Sequence, residues 1–168
     1  MSPDPFPGFL LGFNPCKPTS TGHLQIRSAD PTIAPEIHAN YLDTQHDRDL
    51  MLAGMRLIRK ITDTPAFKSV IDAEMSPGLD VSSDDDLNAY IRQKCWTVFH
   101  QCGTCRMGDN PATSVVDLQG RSHELANLTI ADASVFPACP AMGFGLTVIA
   151  NAPNPAGQAI LARFFPGG

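Results

Sequence analysis

Three features of the sequence predict an α+β fold, an antiparallel sheet backed by helices. His23-Leu24-Gln25-Ile26-Arg27 alternates polar and apolar residues, the pattern of a half-buried strand with Leu24 and Ile26 on its inner face. Residues 45–62 carry Leu50, Ala53, Leu57, Ile58 and Ile61 at helical spacing, one apolar stripe. Ser82-Ser83-Asp84-Asp85-Asp86 offers a capping serine with acid in the first turn, opening a helix through Leu87, Tyr90 and Ile91.

Taken in order, residues 1–18 read as extended or irregular. Pro3, Pro5 and Pro7, with no basic n-region, suit a mature N-terminus better than a signal peptide. A turn ending at Gly22 leads into the strand, and Asp30-Pro31 and Ala34-Pro35 punctuate the connection to residues 37–42. The long helix has Thr44 and Asp47 placed as a capping box and Arg59 and Lys60 in its last turn, where the helix dipole favours cations. Pro65 opens a short helix expected to contain Phe67, Val70 and Ile71. The acidic triplet at 84–86 lacks the spacing of a calcium loop, so capping is preferred to cation binding. Residues 128–131, Leu-Thr-Ile-Ala, read as a buried strand delivering Asp132 at its end. Near the C-terminus Pro153 and Pro155 should break a helix and leave 156–165 as a short terminal piece.

Composition bounds the function. The chain has 168 residues, 43% hydrophobic and 17% charged, which supports a packed core rather than disorder. A net charge of −5 gives no electrostatic reason to expect nucleic acid or an anionic membrane as partner. No apolar run approaches the ~18–20 residues of a membrane span. Five cysteines, Cys16, Cys95, Cys102, Cys105 and Cys139, make an odd count without framework spacing. They favour a reducing compartment, with the cytoplasm preferred and the address otherwise open.

The densest chemistry lies in His100-Gln101-Cys102-Gly103-Thr104-Cys105. Cys102 and Cys105 have the spacing of a zinc half-site, but a structural zinc takes about four ligands and no second pair of this kind exists. A redox pair would want a strand leading directly into a helix. Packed structural cysteines are the commoner reading, and a small zinc protein using His100, Cys102 and Cys105 stays open beside it.

The string from His100 through Gly103-Thr104-Cys105-Arg106-Met107-Gly108 resembles the His-x-x-Gly-Thr-Cys-Arg-Met-Gly segment of the glucose–methanol–choline oxidoreductases. Val115-Val116-Asp117, Gly120-Arg121 with His123, and the run from Asn127 to Pro137 resemble further family segments in the same order. Upstream, Pro18-Thr19-Ser20, Arg27-Ser28-Ala29-Asp30-Pro31 and Asn40-Tyr41-Leu42 are similar to the start of the family's substrate-binding region.

This resemblance implies an FAD-dependent oxidoreductase acting on the CH–OH group of a small-molecule alcohol. His100 would accept the hydroxyl proton while a hydride passes to the flavin N5, a task suited to an imidazole near neutral pH. It implies that Asp132, Ala133, Gly143, Phe144 and Gly145 are cofactor-binding residues, the last three in the loop facing the histidine. The division it implies is an irregular segment 1–17, a substrate-binding-like region 18–124, and a segment 125–168 that would complete a Rossmann-like FAD domain in a full-length enzyme.

The sequence also departs from that family. Its Gly-x-Gly-x-x-Gly dinucleotide turn is absent, so the chain alone should bind FAD poorly, and a missing N-terminal FAD-binding portion or a partner chain is implied. The histidine or asparagine that faces the catalytic histidine falls on Gly143, Phe144 or Gly145. A non-catalytic interaction module, or a decayed fragment inactive alone, is the alternative to the enzyme reading.

Overall fold

The structure is a computed structural model that describes residue 5 and residues 7–139. The expected terminal piece at 156–165 lies outside those residues. In chain order it contains β1 (His23–Gln25), β2 (Glu36–His38), α1 (Gln45–Thr62), α2 (Pro65–Lys68), α3 (Asp84–Lys94) and a 3-10 turn at Ala133–Val135. Among the described residues, those up to 15 with 42–95 form one compact unit, and 16–41 with 96–139 form a second.

The first unit is helical. Thr44 caps α1, its hydroxyl accepting from the Asp47 amide at 3.3 Å, as the capping pattern predicts. Ser83 caps α3 in the same way through the Asp86 amide at 3.1 Å, so the acidic triplet serves the helix start. Leu87 and Ile91, one turn apart on α3, are fully buried, and α3 packs on α1.

Arg59, near the end of α1, stitches the irregular segment 74–81 to the helix. Its guanidinium donates to both Glu74 carboxylate oxygens at 3.2 and 2.8 Å, and to the Gly78 and Val81 carbonyls at 2.9 and 2.7 Å. One planar fork thus satisfies four acceptors, which a lysine could not do. The predicted short helix at Pro65 stops at Lys68, before Val70 and Ile71. The Val70 amide turns back to the Phe67 carbonyl at 2.9 Å, a tightening that ends the helix.

The stripe read from α1 is not the buried face. Leu50, Leu57 and Ile61 are exposed, while Met51, Leu52, Met55 and Ile58 are half-buried. Phe13 lies across α1 at Gly54, where a Cβ would come within 1.9 Å of its ring.

The second unit holds the sheet, a two-stranded antiparallel ribbon pairing His23 with His38 and Gln25 with Glu36. The strand at 23–27 is confirmed but shorter. Its expected inner residues Leu24 and Ile26 are exposed, because a two-stranded ribbon offers no enclosed face of its own. The expected buried strand at 128–131 is corrected as well. Only Thr129 forms a bridge, to Arg121, while Ser122 N–H donates to the Leu128 carbonyl and Ile130 N–H to the Gly120 carbonyl. This segment finds its partner in the adjacent turn, so its polar groups are not left waiting for a parallel sheet.

Gly54→Ala should destabilise the chain even though alanine is the better helix former by ~1 kcal/mol, because the new methyl displaces the Phe13 ring. In a Phe13→Ala background the same substitution should stabilise. Thermal melts of the two single variants and the double variant check the reversal of sign, and the same sign in both backgrounds would refute this packing.

Candidate functional site

The motif region hangs on a small apolar cluster. Val116, Val135 and Phe136 are buried, with Cys102, Met107, Ile130 and Ala133 packed against them. Around this cluster three pieces of chain run side by side. Cys105 N–H donates to the Ser134 carbonyl at 2.9 Å and Met107 N–H to the Val135 carbonyl at 2.8 Å. Val115 N–H donates to Arg106 and Gly108 N–H to Val116, each at 3.0 Å, which gives the Met107–Val116 bridge. Arg106 contributes its backbone carbonyl to this frame.

His100 stands just before this anchored stretch, on an exposed loop. The backbone is bent on both sides of it: Phe99 has φ 60° and Gly103 has φ 90°. At Gly103 a side chain would be strained and its Cβ would crowd the Phe136 carbonyl at 3.3 Å, so the motif glycine has a steric reason. Gln101, next to His100, donates from Nε2 to the Tyr41 hydroxyl at 2.9 Å, tying the loop to the chain beyond β2. Trp96 and Phe99, both just before the histidine in sequence, form an edge-to-face pair with centroids 6.4 Å apart, both largely exposed.

Asp132 caps the start of the 3-10 turn, its carboxylate accepting the Ser134 amide at 2.8 Å. The Ser134 side chain first, and then that amide, hold its carboxyl below the ordinary aspartate range. Ala133 sits half-buried on the apolar cluster. Asp132 and Ala133 therefore form one turn, hydrogen-bonded through Ser134 and Val135 to the stretch beyond His100. Gly143, Phe144 and Gly145 lie outside the described residues.

The zinc reading finds no support. Among the described residues no group of three histidines, cysteines or carboxylates is placed to hold a metal ion. Cys102 packs against the apolar cluster, and burial pushes its thiol above the ordinary range.

One constellation has no counterpart in the sequence motifs. His123 Nε2 lies 2.9 Å from the Ser114 hydroxyl and 3.0 Å from the Gly108 carbonyl, beside a cavity of about 180 Å³ lined by Pro111, Ser114, Val115, Ser122, His123 and Glu124. A carbonyl only accepts, so Nε2 carries the proton and cannot serve Ser114 as a base. The Ser114 hydroxyl instead reaches the Asn110 carbonyl at 2.7 Å. The pair braces the 108–114 loop. A tertiary contact of this kind leaves no spacing signature in the chain.

Asp117 organises the next turn. Its carboxylate accepts from the Gln119 and Arg121 amides at 2.8 and 2.9 Å and pairs with the Arg121 guanidinium at 2.9 Å. The Arg121 amide is the leading cause of a carboxyl held below the usual range. Gly120, at φ 76°, completes the turn.

The family model for GMC oxidoreductase matches residues 18–152. An oxygen-dependent choline dehydrogenase of Chromohalobacter salexigens is 39% identical over 133 residues, covering 79% of this chain and 24% of that protein. The corresponding protein of Proteus mirabilis is 38% identical over 130 residues, covering 77% of this chain and 23% of its own length. Among solved structures, pyridoxine 4-oxidase from Mesorbium loti superposes with a TM-score of 0.76 at 29% identity, over 91% of this chain and 28% of that one. A formate oxidase of Aspergillus oryzae, a protein in which FAD is modified, gives a TM-score of 0.73 at 28% identity, over 84% and 25%. The chain thus spans about a quarter of the length of the relatives it matches. With the model match running through the His100 motif and the turn at Asp132, the chain belongs to the GMC oxidoreductase family.

Proposed function

We propose that this chain supplies the proton-accepting residue and substrate-side wall of an FAD-dependent alcohol oxidation. The observation that carries this is the seating of His100, an exposed imidazole at the mouth of a loop whose next residues are fixed to the Asp132 turn. An imidazole so placed can take the hydroxyl proton of an alcohol while its backbone stays put.

The oxidation also needs a hydride acceptor, and the described residues do not build a site for one. Among them no strand runs through a glycine-rich turn into a helix, the arrangement that cradles a dinucleotide diphosphate. The Asp132 carboxylate is already engaged by Ser134. FAD is therefore assigned to the complete enzyme, held mainly by a portion of the kind that the relatives carry beyond the quarter matched here. In this reading residues 18–124 are the substrate-side region, and 125–168 return toward the FAD domain. The exposed apolar residues of α1, Leu50, Leu57 and Ile61, are the surface such a portion would cover.

For the substrate we infer an alcohol bearing a quaternary ammonium group. The choline dehydrogenase relatives favour it, and so do Trp96 and Phe99, exposed aromatic faces beside His100 of the kind that attract such a cation.

Flavin fluorescence should show no saturable quenching with the chain alone, and saturable binding once the chain is combined with the FAD-binding portion of a choline dehydrogenase relative. In that assembly His100→Ala should lower kcat by about 10²- to 10⁴-fold while leaving FAD affinity unchanged. Tight FAD binding by the chain alone would overturn the division of labour, and unchanged turnover would overturn the role of His100.

In the same assembly Trp96→Ala should raise the KM for choline by about 2- to 30-fold, with little effect on an uncharged alcohol of similar size. Equal losses on both substrates would refute the cation-binding role.

A further inference from the structure

His100 lies inside a short closed circuit of side-chain hydrogen bonds. The Thr97 hydroxyl accepts from the Phe99 amide at 2.9 Å and from Gln101 Nε2 at 2.5 Å, so residues 97–101 close on themselves. The second proton of the Gln101 amide goes to the Tyr41 hydroxyl at 2.9 Å, 60 residues away in the chain. Tyr41 is itself held at the base of the β-ribbon. Its neighbour Asn40, left-handed at φ 54°, donates from Nδ2 to the Thr21 carbonyl at 3.1 Å. Gly22 lies so close to the chain leaving β2 that a Cβ there would meet the His38 carbonyl at 2.1 Å. The circuit also accounts for the conformation of Phe99. A phenylalanine at φ 60° persists only where its surroundings over-determine it. The Thr97 hydroxyl supplies that constraint, bonding the Phe99 amide on one side of His100 and the Gln101 side chain on the other.

We propose that Gln101, locked to Tyr41 and Thr97, is the positioning residue that orients His100, a role that rests on His100 being the proton acceptor. Gln101 acts through its neighbour, since both of its amide protons are committed to Tyr41 and Thr97 and none is left for a substrate. His100 cannot swing at its Cα without breaking one of these bonds. The imidazole is thereby held in place on a loop that is otherwise exposed. Misplacing a reacting group by about 1 Å costs up to ~10²-fold in rate. A latch of exposed hydrogen bonds therefore governs kinetics while contributing little to stability.

In the 168-residue chain alone, the proton–carbon NMR signals of the His100 imidazole report its setting without any turnover. Tyr41→Phe, which removes only the hydroxyl, and Gln101→Ala should both move or broaden those signals. Thr97→Ser, which keeps the hydroxyl, should leave them in place. Signals indifferent to Tyr41→Phe and Gln101→Ala would overturn the latch. In the assembly with the FAD-binding portion, each of these two variants should lower kcat by about 10- to 100-fold, with KM and melting temperature unchanged. Neither should add to the loss in a His100→Ala background, because the latch acts only through that imidazole. Normal turnover in Gln101→Ala, where His100→Ala is impaired, would sink this proposal and leave the role of His100 standing. Full turnover in His100→Ala would remove both. Additive losses, or a raised KM at constant kcat, would also refute it, since they place Gln101 on the fold or the substrate instead.

Discussion

The second unit depends on the burial of one side chain, Val116. It is fully enclosed, and the backbone on either side of it serves three neighbours at once. Its carbonyl receives Gly108, the preceding Val115 carbonyl receives His123, and the next amide, that of Asp117, reaches Arg121. Val135 and Phe136 close over it from the Asp132 turn. A buried valine contributes roughly 1.5–3 kcal/mol, comparable to several net hydrogen bonds, and it supplies the apolar ground on which these irregular turns can pair. Without a sheet to organise them, Cys105–Gly108, Val115–Asp117 and the 3-10 turn at Ala133–Val135 keep their mutual register because they share that ground.

The arrangement explains why a loop can carry chemistry. Irregular chain is the usual home of reactive residues because its backbone can present a side chain without burying it, provided that a rigid frame fixes both ends. Here the frame lies on the C-terminal side of His100, from Cys105 onward, while the loop itself is shaped by Phe99 and Gly103 in left-handed conformations. Gly103 is tolerated there and a side chain would not be. Phe99, with no such freedom, holds an unfavourable backbone angle directly before the histidine, a cost of the kind that concentrates at functional positions.

Local signals are legible in the sequence and tertiary ones are not. Both long helices are readable to their capping residues, since Thr44 and Ser83 act within one turn of chain. The motif at His100 is readable as a string, although its residue types alone favour packed cysteines and leave a metal open. What periodicity misjudges is which face is covered. Leu24 and Ile26 alternate as an inner strand face should, and Leu50, Leu57 and Ile61 make a regular helical stripe, yet all five are exposed. Periodicity reports that a face is apolar, and burial needs something to lie on it. The run at 128–131 misleads for a related reason: an apolar stretch is equally content beside a nearby turn or inside a sheet, and here the turn at 120–122 is its partner. The Ser114–His123 brace, paired only through folding, carries no pattern to read.

The exposed stripes and the thinness of the core have a common physical meaning. Among the described residues the buried apolar side chains are Leu87 and Ile91 in the first unit and Val116, Val135 and Phe136 in the second. Folding stability is a small difference between burial and chain entropy, and a chain of this length normally encloses far more. Arg59 compensates locally by satisfying four acceptors with one guanidinium, but polar stitching contributes only modestly once water is given up on both sides. Apolar area on α1 stays open along one face, at Leu50, Leu57 and Ile61. A covering surface on α1 would therefore act twice, stabilising the helix and steadying the segment at 74–81 that Arg59 ties to it.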